Sequence, residues 1–588
     1  MIFGPKWILR RPEAASSVFC ETEGEIIGQW LWSRGLEDTR QRKSKLEGSF
    51  SDIRSPFNFL NMRASAERLA DALENPEEKI AIYSDYDMDG MSGLAILKTF
   101  LESLSPNPIR GYYPNRLEEG YGVHPSALEE LGKEGIRVVV TVDTGITALA
   151  AAEKARELGI VLIITDHHKQ VSDKLPDTPF IVNPNQKMDT SGMPYISGAG
   201  MAFFVCMALR TVLRERRFFE NKKLTEPRLV DWLDLFVLGT IADVVDLVGE
   251  NRILVKAGLE TLARTQRPGL RALLNRCLRD PHTTEISARD VAFSVTPKLN
   301  AASRMGHAHL SASLLVENSV PESEVLADQI MALNAERSRV QEEVLQLALS
   351  DARRQIAEFD PPVLVTFGPW HEGILGVVAA RLVEEFNRAA IVLNQKANEE
   401  TLRGSMRGKL PLSCVRLLDQ VSDILLSYGG HTQAAGLKLH KNHLGDFCRR
   451  IWQNSKEFFL KNPQNDEVLF DGFLDLNKNL KIEEIEQLHQ IGSPWGQGNP
   501  DALFLLKDIP LSSVQRLKEN HVRCQLSDTL GIIGFSKFKE IEALQNSASK
   551  NPNFDALLTL EINRFRNKKS VQLNLRHVRP SENFNSGS

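Results

Sequence analysis

Residues 79–90 read Lys79-Ile80-Ala81-Ile82-Tyr83-Ser84-Asp85-Tyr86-Asp87-Met88-Asp89-Gly90. A short apolar run that stops at alternating acids is a buried strand delivering carboxylates to its carboxyl end. GMSGLAILKTFLESL (90–104) follows with helical spacing. The strand-then-acid unit recurs in IRVVVTVDTGI (136–146) and IVLIITDHH (160–168), with the alanine-rich helix TALAAAEKARELG (147–159) between them. PFIVNPN (179–185) supplies a fourth strand. Strands alternating with helices signal βαβ units and a parallel sheet, and continuous apolar strands agree, because such a sheet is covered on both faces.

Outward from this stretch, the chain divides by pattern. Residues 1–50 hold an amphipathic piece with Trp7, Trp30 and Trp32, then a charged run, and read as an N-terminal arm. The α/β pattern with its helical continuation spans 51–320. Residues 321–358 keep helical spacing too long for an ordinary helix and read as a connecting helix. Strand–helix alternation restarts at PPVLVTFG and defines a smaller α/β domain over 359–462. KNPQNDE is a linker, and short strand-like runs separated by turns over 466–580 predict a small β-barrel. Residues 581–588 read as a disordered tail.

The 588 residues are 42% hydrophobic and 25% charged, ordinary for a globular protein and consistent with roughly four domains. No run of about 18 apolar residues occurs, and the apolar stretch near Met1 is too short for a signal peptide. The six cysteines (20, 206, 277, 414, 448, 524) form no C-x-x-C pair, which argues for a reduced, cytoplasmic protein. A net charge of -5 excludes a wholly basic coat protein but not local basic grooves.

Three consecutive strand ends carry Asp85, Asp87 and Asp89, then Asp143, then Asp166, His167 and His168. Taken singly, an aspartate there is a helix N-cap, and two adjacent histidines can be a satisfied core pair. Together they converge where open parallel sheets bind ligands. Such crowded carboxylates repel one another unless a cation intervenes. Carboxylate and imidazole without thiolate suit Mn²⁺ or Mg²⁺, and four or more carboxylates suit two ions.

The motifs Asp85–Gly90, Val142-Asp143-Thr144-Gly145 and Asp166-His167-His168 resemble the DHH phosphoesterase superfamily. Lys298–Arg304, Gly368–Gly376, Gly429–Gly436 and Trp495–Pro500 narrow the resemblance to the RecJ exonucleases, over about residues 50 to 580. Met88, Met91-Ser92, Lys298 and Ser303 depart from the usual pattern; the ligand-type residues do not. The resemblance implies a parallel-sheet DHH domain, a DHH-associated domain and an OB-fold-like single-strand-binding domain. It implies a metal shell of Asp85, Asp87, Asp89, Asp143, His167 and Asp243. It gives His168 to the scissile phosphate and Asp166 to orienting a histidine ring. Asn300, Arg304, His371, Ser405, Arg407, Gly429, Gly430 and His431 become DNA contacts. The basic residues Arg564, Arg566, Lys568, Lys569, Arg576 and Arg579 near Phe565 suit single-strand binding by the barrel. The implied activity is metal-dependent 5′–3′ exonucleolysis of single-stranded DNA in recombination and repair, by a monomer, with single-strand-binding protein and a helicase as partners. A small-substrate phosphoesterase and a catalytically dead DNA scaffold are the competing readings; the barrel argues against the first and the intact acids against the second.

Overall fold

The computed structural model describes residues 5–11, 17–105, 107–170, 172–280, 283, 285–395, 399–409, 412–461, 467–476, 480–527, 530–547, 553–565 and 568–581. The chain forms two units. One comprises Met1–Asp52, Leu247–Gly249 and Asn465–Ser588; the other comprises Ile53–Asp246 and Glu250–Gln464. Strand β1 (Lys6–Leu9) and helix α1 (Glu25–Ser33) belong to the first.

After a helix over Met62–Glu74, the larger unit continues with β2 (Lys79–Ser84), α2 (Met88–Glu102), β3 (Arg110–Tyr112), β4 (Ile136–Val142), α3 (Leu149–Glu157), β5 (Val161–Thr165) and β6 (Ile181–Val182). Its sheet runs β3-β2-β4-β5-β6, every pair parallel, as the strand–helix alternation predicts. Helices α4 (Gly198–Glu215), α5 (Leu233–Ala242) and α6 (Thr296–Arg304) follow. Helix α5 is buried on nearly every side, which explains a segment with no polar stripe.

Helix α7 (Val320–Phe359) is the expected connector. It buries Ala327 and Ile330 near one end and Val344, Ala348 and Ala352 near the other. The latter pack with Leu364, Val378, Ala390 and Val392 of the second domain, so one rigid helix seats both domains. That domain has β7 (Val363–Gly368), α8 (Leu375–Phe386), β8 (Ala389–Asn394), β9 (Thr401–Arg407), β10 (Leu425–Gly430), β11 (Ala434–His440) and α9 (Leu444–Lys461). Its order is β10-β11-β9-β8-β7, with only β7 and β8 parallel.

In the other unit, β12 (Glu467–Phe470) pairs in parallel with β1. Beyond it come β13 (Gly472–Phe473), α10 (Ile482–Gly492), β14 (Phe504–Pro510), β15 (Val514–Arg516), β16 (Val522–Gln525), β17 (Gly531–Gly534), β18 (Asn553–Phe565) and β19 (Lys568–Pro580). The seven-stranded sheet is ordered β13-β14-β18-β19-β17-β16-β15. The stretch read as an N-terminal arm is built into this unit: Ile27, Trp30 and Leu31 of α1 share one core with Ile485, Phe504, Phe554 and Leu573. The Asp471 side chain is fully covered and takes Arg10, Arg34 and Ser33, tying the N-terminal segment to the start of the C-terminal part of this unit.

Three of the six basic residues expected to form a strand-binding run have carboxylate partners. Lys569 pairs with Glu486, Arg576 with Asp501, and Arg579 with Asp555 while lying 4.5 Å over the Trp7 ring. Arg566 and the side chains of Arg564, Phe565 and Lys568 fall outside the described residues. The stretch 582–588, read as a disordered tail, falls outside them too.

Candidate active site

Sheet register brings the chemistry to one line. Ser84 pairs with Val142, Val142 with Thr165 and Thr165 with Val182. The next residue on each strand is therefore Asp85, Asp143, Asp166 and Asn183, side by side at the carboxyl edge where a parallel sheet opens its crevice.

Local structure then fixes each carboxylate. Asp87 caps α2, accepting from the backbone N–H groups of Asp89 and Gly90 at 2.9 and 3.2 Å. Asp89 accepts from Gly198 and Ala199 at the start of α4, at 2.5 and 2.9 Å. Asp143 has left-handed backbone, φ 61°. A Cβ on Gly198 would lie 2.4 Å from that of Asp143, so glycine is required for the helix to approach. Asp243 is the C-cap of α5, followed by Val244 at φ 59°. That turn throws its carboxylate back toward the strand ends; no local sequence pattern announces it.

His167 Nε2 stands 3.0 Å from Asp143 Oδ1, 3.6 Å from Asp243 Oδ2 and 3.8 Å from Asp89 Oδ2. Yet this nitrogen, Asp143 Oδ1 and Asp85 Oδ1 are buried with no hydrogen-bond partner. Burial drives the His167 imidazole down to about 3, toward the neutral form. Burial, reinforced by the neighbouring carboxylates, pushes Asp85 and Asp143 well up, Asp89 to about 7 and Asp243 to about 9. A neutral imidazole among carboxyl groups that resist ionising together is what a divalent cation resolves. Three sets of donor atoms lie within 4.8 Å of one another: Asp85, Asp87 and Asp143; Asp89, His167 and Asp243; and Asp143, His167 and His168. All are hard carboxylate oxygens or imidazole, which fits Mn²⁺ or Mg²⁺.

His168 has a different environment. Its Nδ1 is 2.8 Å from Asp166 Oδ1, which also accepts from the backbone N–H groups of His167 and His168. The other oxygen of Asp166 takes Ile146 N–H at 2.9 Å. Burial opposes ionisation of Asp166, but the hydrogen bond and charge of His168 outweigh it and hold the carboxyl low. Burial alone would also lower His168; the hydrogen bond and charge of Asp166 override it and lift the imidazole to about 9. Asp166, held by N–H groups of His167, His168 and Ile146, orients the His168 ring through Nδ1. Tyr121 Oη lies 3.1 Å from His168 Nδ1 and donates to the Asp143 carbonyl at 3.3 Å. Asn183 and Asn185 donate to the carbonyls of His168 and His167 at 2.9 and 2.5 Å. Sequence reading passed over these three; the two asparagines end a strand of the same sheet, which is the signal that marks them.

The basic side of the crevice is assembled from several elements. Burial, then the charges of Arg116, Arg407 and Arg337, lower Arg304 to about 9 against the pull of Asp87. Among the described residues no carboxylate forms an ion pair with any of these four arginines. Arg116 lies over Tyr86 at 5.0 Å, and Arg337 comes from the middle of α7. Neither was expected, since each sits alone in a helical or loop stretch. Arg407 bonds Ser405 Oγ at 2.8 Å, and a Cβ on Gly376 would fall 2.5 Å from its guanidinium. Asn300 Oδ1 accepts from Met88 N–H at 3.1 Å, tying α6 to the acidic loop. His371 Nδ1 accepts from Gly373 N–H, and the Gly373 carbonyl in turn accepts from Arg304 at 3.3 Å. His431 stacks on His168 with centroids 5.9 Å apart. Gly430 holds φ 143°, and Gly429 faces open space.

The sequence matches three family models: the DHH family N-terminal domain over residues 79–240, the DHHA1 domain over 360–457 and the RecJ OB domain over 470–577. It is 31% identical over 584 residues to the single-stranded-DNA-specific exonuclease RecJ of Salmonella typhimurium, covering 97% of this chain and 99% of that one. The fold is similar to the crystal structure of RecJ from Thermus thermophilus in complex with Mn²⁺, with TM-score 0.77, 26% identity, and 98% and 80% of the two chains covered. It is also similar to the Mg²⁺ complex of that protein, with TM-score 0.73, 25% identity, and 98% and 79% covered.

Proposed function

Because the chain belongs to the RecJ exonuclease family, we propose that it hydrolyses single-stranded DNA from the 5′ end, releasing mononucleotides, with Mn²⁺ or Mg²⁺ as cofactor. The observation that carries the reading is the placement, across one crevice, of a crowded acidic cluster and an arginine quartet with no carboxylate ion pair among the described residues.

In this reading Asp85, Asp87, Asp89, Asp143, His167 and Asp243 hold two divalent ions, with Asp143 common to two of the donor sets. Such ions, when bound, lower the pKa of a water and offset the charge of the phosphate under attack. His168, held by Asp166, keeps a proton on its outer nitrogen and offers it to the oxyanion that develops at phosphorus. Tyr121 meets the same Nδ1 edge of the ring and helps fix its orientation. Arg304 and Arg407, with Arg116 and Arg337 near, take the terminal phosphate by charge-assisted hydrogen bonds. Asn300 sets the distance between that pocket and the acidic loop, and His371, Ser405, Gly429, Gly430 and His431 line the second domain's share of the strand path. The division of labour follows: residues 51–320 for catalysis, 359–462 for substrate and 466–580 for the trailing strand.

Family resemblance supports the remaining parts of the reading: a monomer in the cytoplasm, acting in recombination and repair beside single-strand-binding protein and a helicase. Among the described residues no helix is long and apolar enough to cross a membrane.

The test is competition between single strands ending in a 5′-phosphate and a 5′-hydroxyl. A lower KM for the phosphorylated strand, lost in Arg304→Gln, is expected. Indifference to the terminal group in the wild type removes the pocket from the reading.

A further inference from the structure

Phe293 is 75% exposed, a large aromatic ring standing in solvent. It lies in a π-helical turn, Val291–Val295, that runs directly into α6. Wide turns of this kind cost hydrogen-bond geometry and concentrate at functional positions. The guanidinium of Arg289 lies 6.0 Å from the ring centroid, so the aromatic already carries a cation at its side.

Its place on the helix gives the ring a meaning. Asn300 and Arg304 sit further along the same helix, Asn300 holding the metal-site loop through Met88 N–H and Arg304 in the arginine quartet. Phe293, Asn300 and Arg304 follow one another along the continuous helical run Val291–Arg304, with side chains that are all at least partly exposed. At 1.5 Å per residue, Asn300 is about 6 Å from Arg304 along the axis of α6, and Phe293 lies beyond Asn300 toward the helix start. The order along this helical run is therefore terminal-phosphate pocket, acidic loop, exposed aromatic.

Resting on the exonuclease reading above, we propose that Phe293 is a stacking platform for a base of the single strand on the far side of the cleavage point, with Arg289 contributing charge to the adjoining backbone. Every base has a π-face, so such a contact grips without reading sequence. It also selects for single strands, because a base inside a duplex has both faces stacked on its neighbours. The contact lies beyond the reach of the shortest substrates and serves to hold the remaining strand between successive cuts.

The test uses Phe293→Ala and Phe293→Trp, which alter no buried contact. Binding of oligothymidines from two to about twenty nucleotides is measured by anisotropy in Ca²⁺, and a 2-aminopurine is walked along the strand. Phe293→Ala should leave cleavage of a dinucleotide unchanged and weaken long strands between about fivefold and a hundredfold, the range of one lost base stack. Quenching of 2-aminopurine at a position past the first linkage should disappear, and Phe293→Trp should restore both. Wild-type affinity at every length, or an equal loss for the dinucleotide, overturns the proposal. A wild type that cleaves no single strand at all overturns the exonuclease reading instead.

Discussion

Asp143→Asn isolates what the acidic crevice is for. Asp143 is buried, at φ 61°, with its carboxylate 3.0 Å from His167 Nε2 and 3.8 Å from His168 Nδ1. Asparagine keeps the shape and tolerates left-handed backbone, whereas alanine there would confound the result with strain. Removing a ligand shared by two donor sets should cut turnover by at least about 100-fold, more than the 10- to 100-fold that loss of a ligand's supporting partner costs. Metal-induced stabilisation gives an independent reading. At Mn²⁺ one hundred times Kd the wild type gains about 2.7 kcal/mol, and a site weakened a hundredfold gains only about 0.4 kcal/mol at the same concentration. The metal-free protein should move the opposite way. A carboxyl whose folded pKa is raised stabilises the fold while protonated and loses that contribution as pH climbs through the folded value. Asp89 at about 7 and Asp243 at about 9, against 3.8 for an ordinary aspartate, place the window. Metal-free Tm should therefore fall from about pH 4 toward pH 9, and less steeply in Asp143→Asn because one repelling group is gone. Thermal melts across pH, with and without Mn²⁺, read all three. An asparagine variant that melts lower than wild type without metal at pH 8, yet keeps the full Mn²⁺ shift and turnover, would refute the reasoning.

Other outcomes follow from the same geometry. His168→Ala should lower turnover by about 100-fold, the loss typical of one oxyanion donor, with Mn²⁺ affinity nearly intact, whereas His167→Ala should lose Mn²⁺ affinity; calorimetric titration separates them, and identical behaviour contradicts separate roles. Gly90→Ala places a Cβ 2.5 Å from the Asp85 carbonyl oxygen, so the backbone must shift: it should displace the acidic loop, abolish activity and lower Tm by the few degrees typical of overpacking. Deleting residues 1–52 should strip Trp30 and Leu31 from the core of the C-terminal unit and expose it to limited proteolysis, while removing 1–52 and everything after 464 together should leave hydrolysis of very short oligonucleotides. Unchanged proteolysis in the first case, or no activity in the second, would show that the units are not divided as described.

Much of the architecture was legible because parallel sheets advertise themselves. Continuous apolar strands capped by acids marked β2, β4 and β5, and the absence of breakers marked α7. Convergence of Asp85, Asp143 and Asp166 was legible for the same reason, since a shared register puts the residue after each strand at one edge. Asp243 was not, because its approach depends on a left-handed residue after α5 rather than on a pattern. Nor were Arg116 and Arg337, which meet Arg304 only through tertiary packing. The pairing of β1 with β12 joins residues at opposite ends of the chain, and no local signal can encode such a partner. The partners of the basic run near β19 were not legible, because charge count carries no information on them: Asp501, Asp555 and Glu486 lie far from it in sequence and next to it in space.

The most direct measurement is a time course on a 5′-³²P-labelled single strand and the same strand annealed to its complement, with Mn²⁺ and with EDTA. The account predicts labelled mononucleotide as the first product from the single strand, little from the duplex, and none with EDTA or in Asp143→Asn. Label appearing first in longer fragments, equal digestion of the duplex, or release that survives EDTA would contradict it.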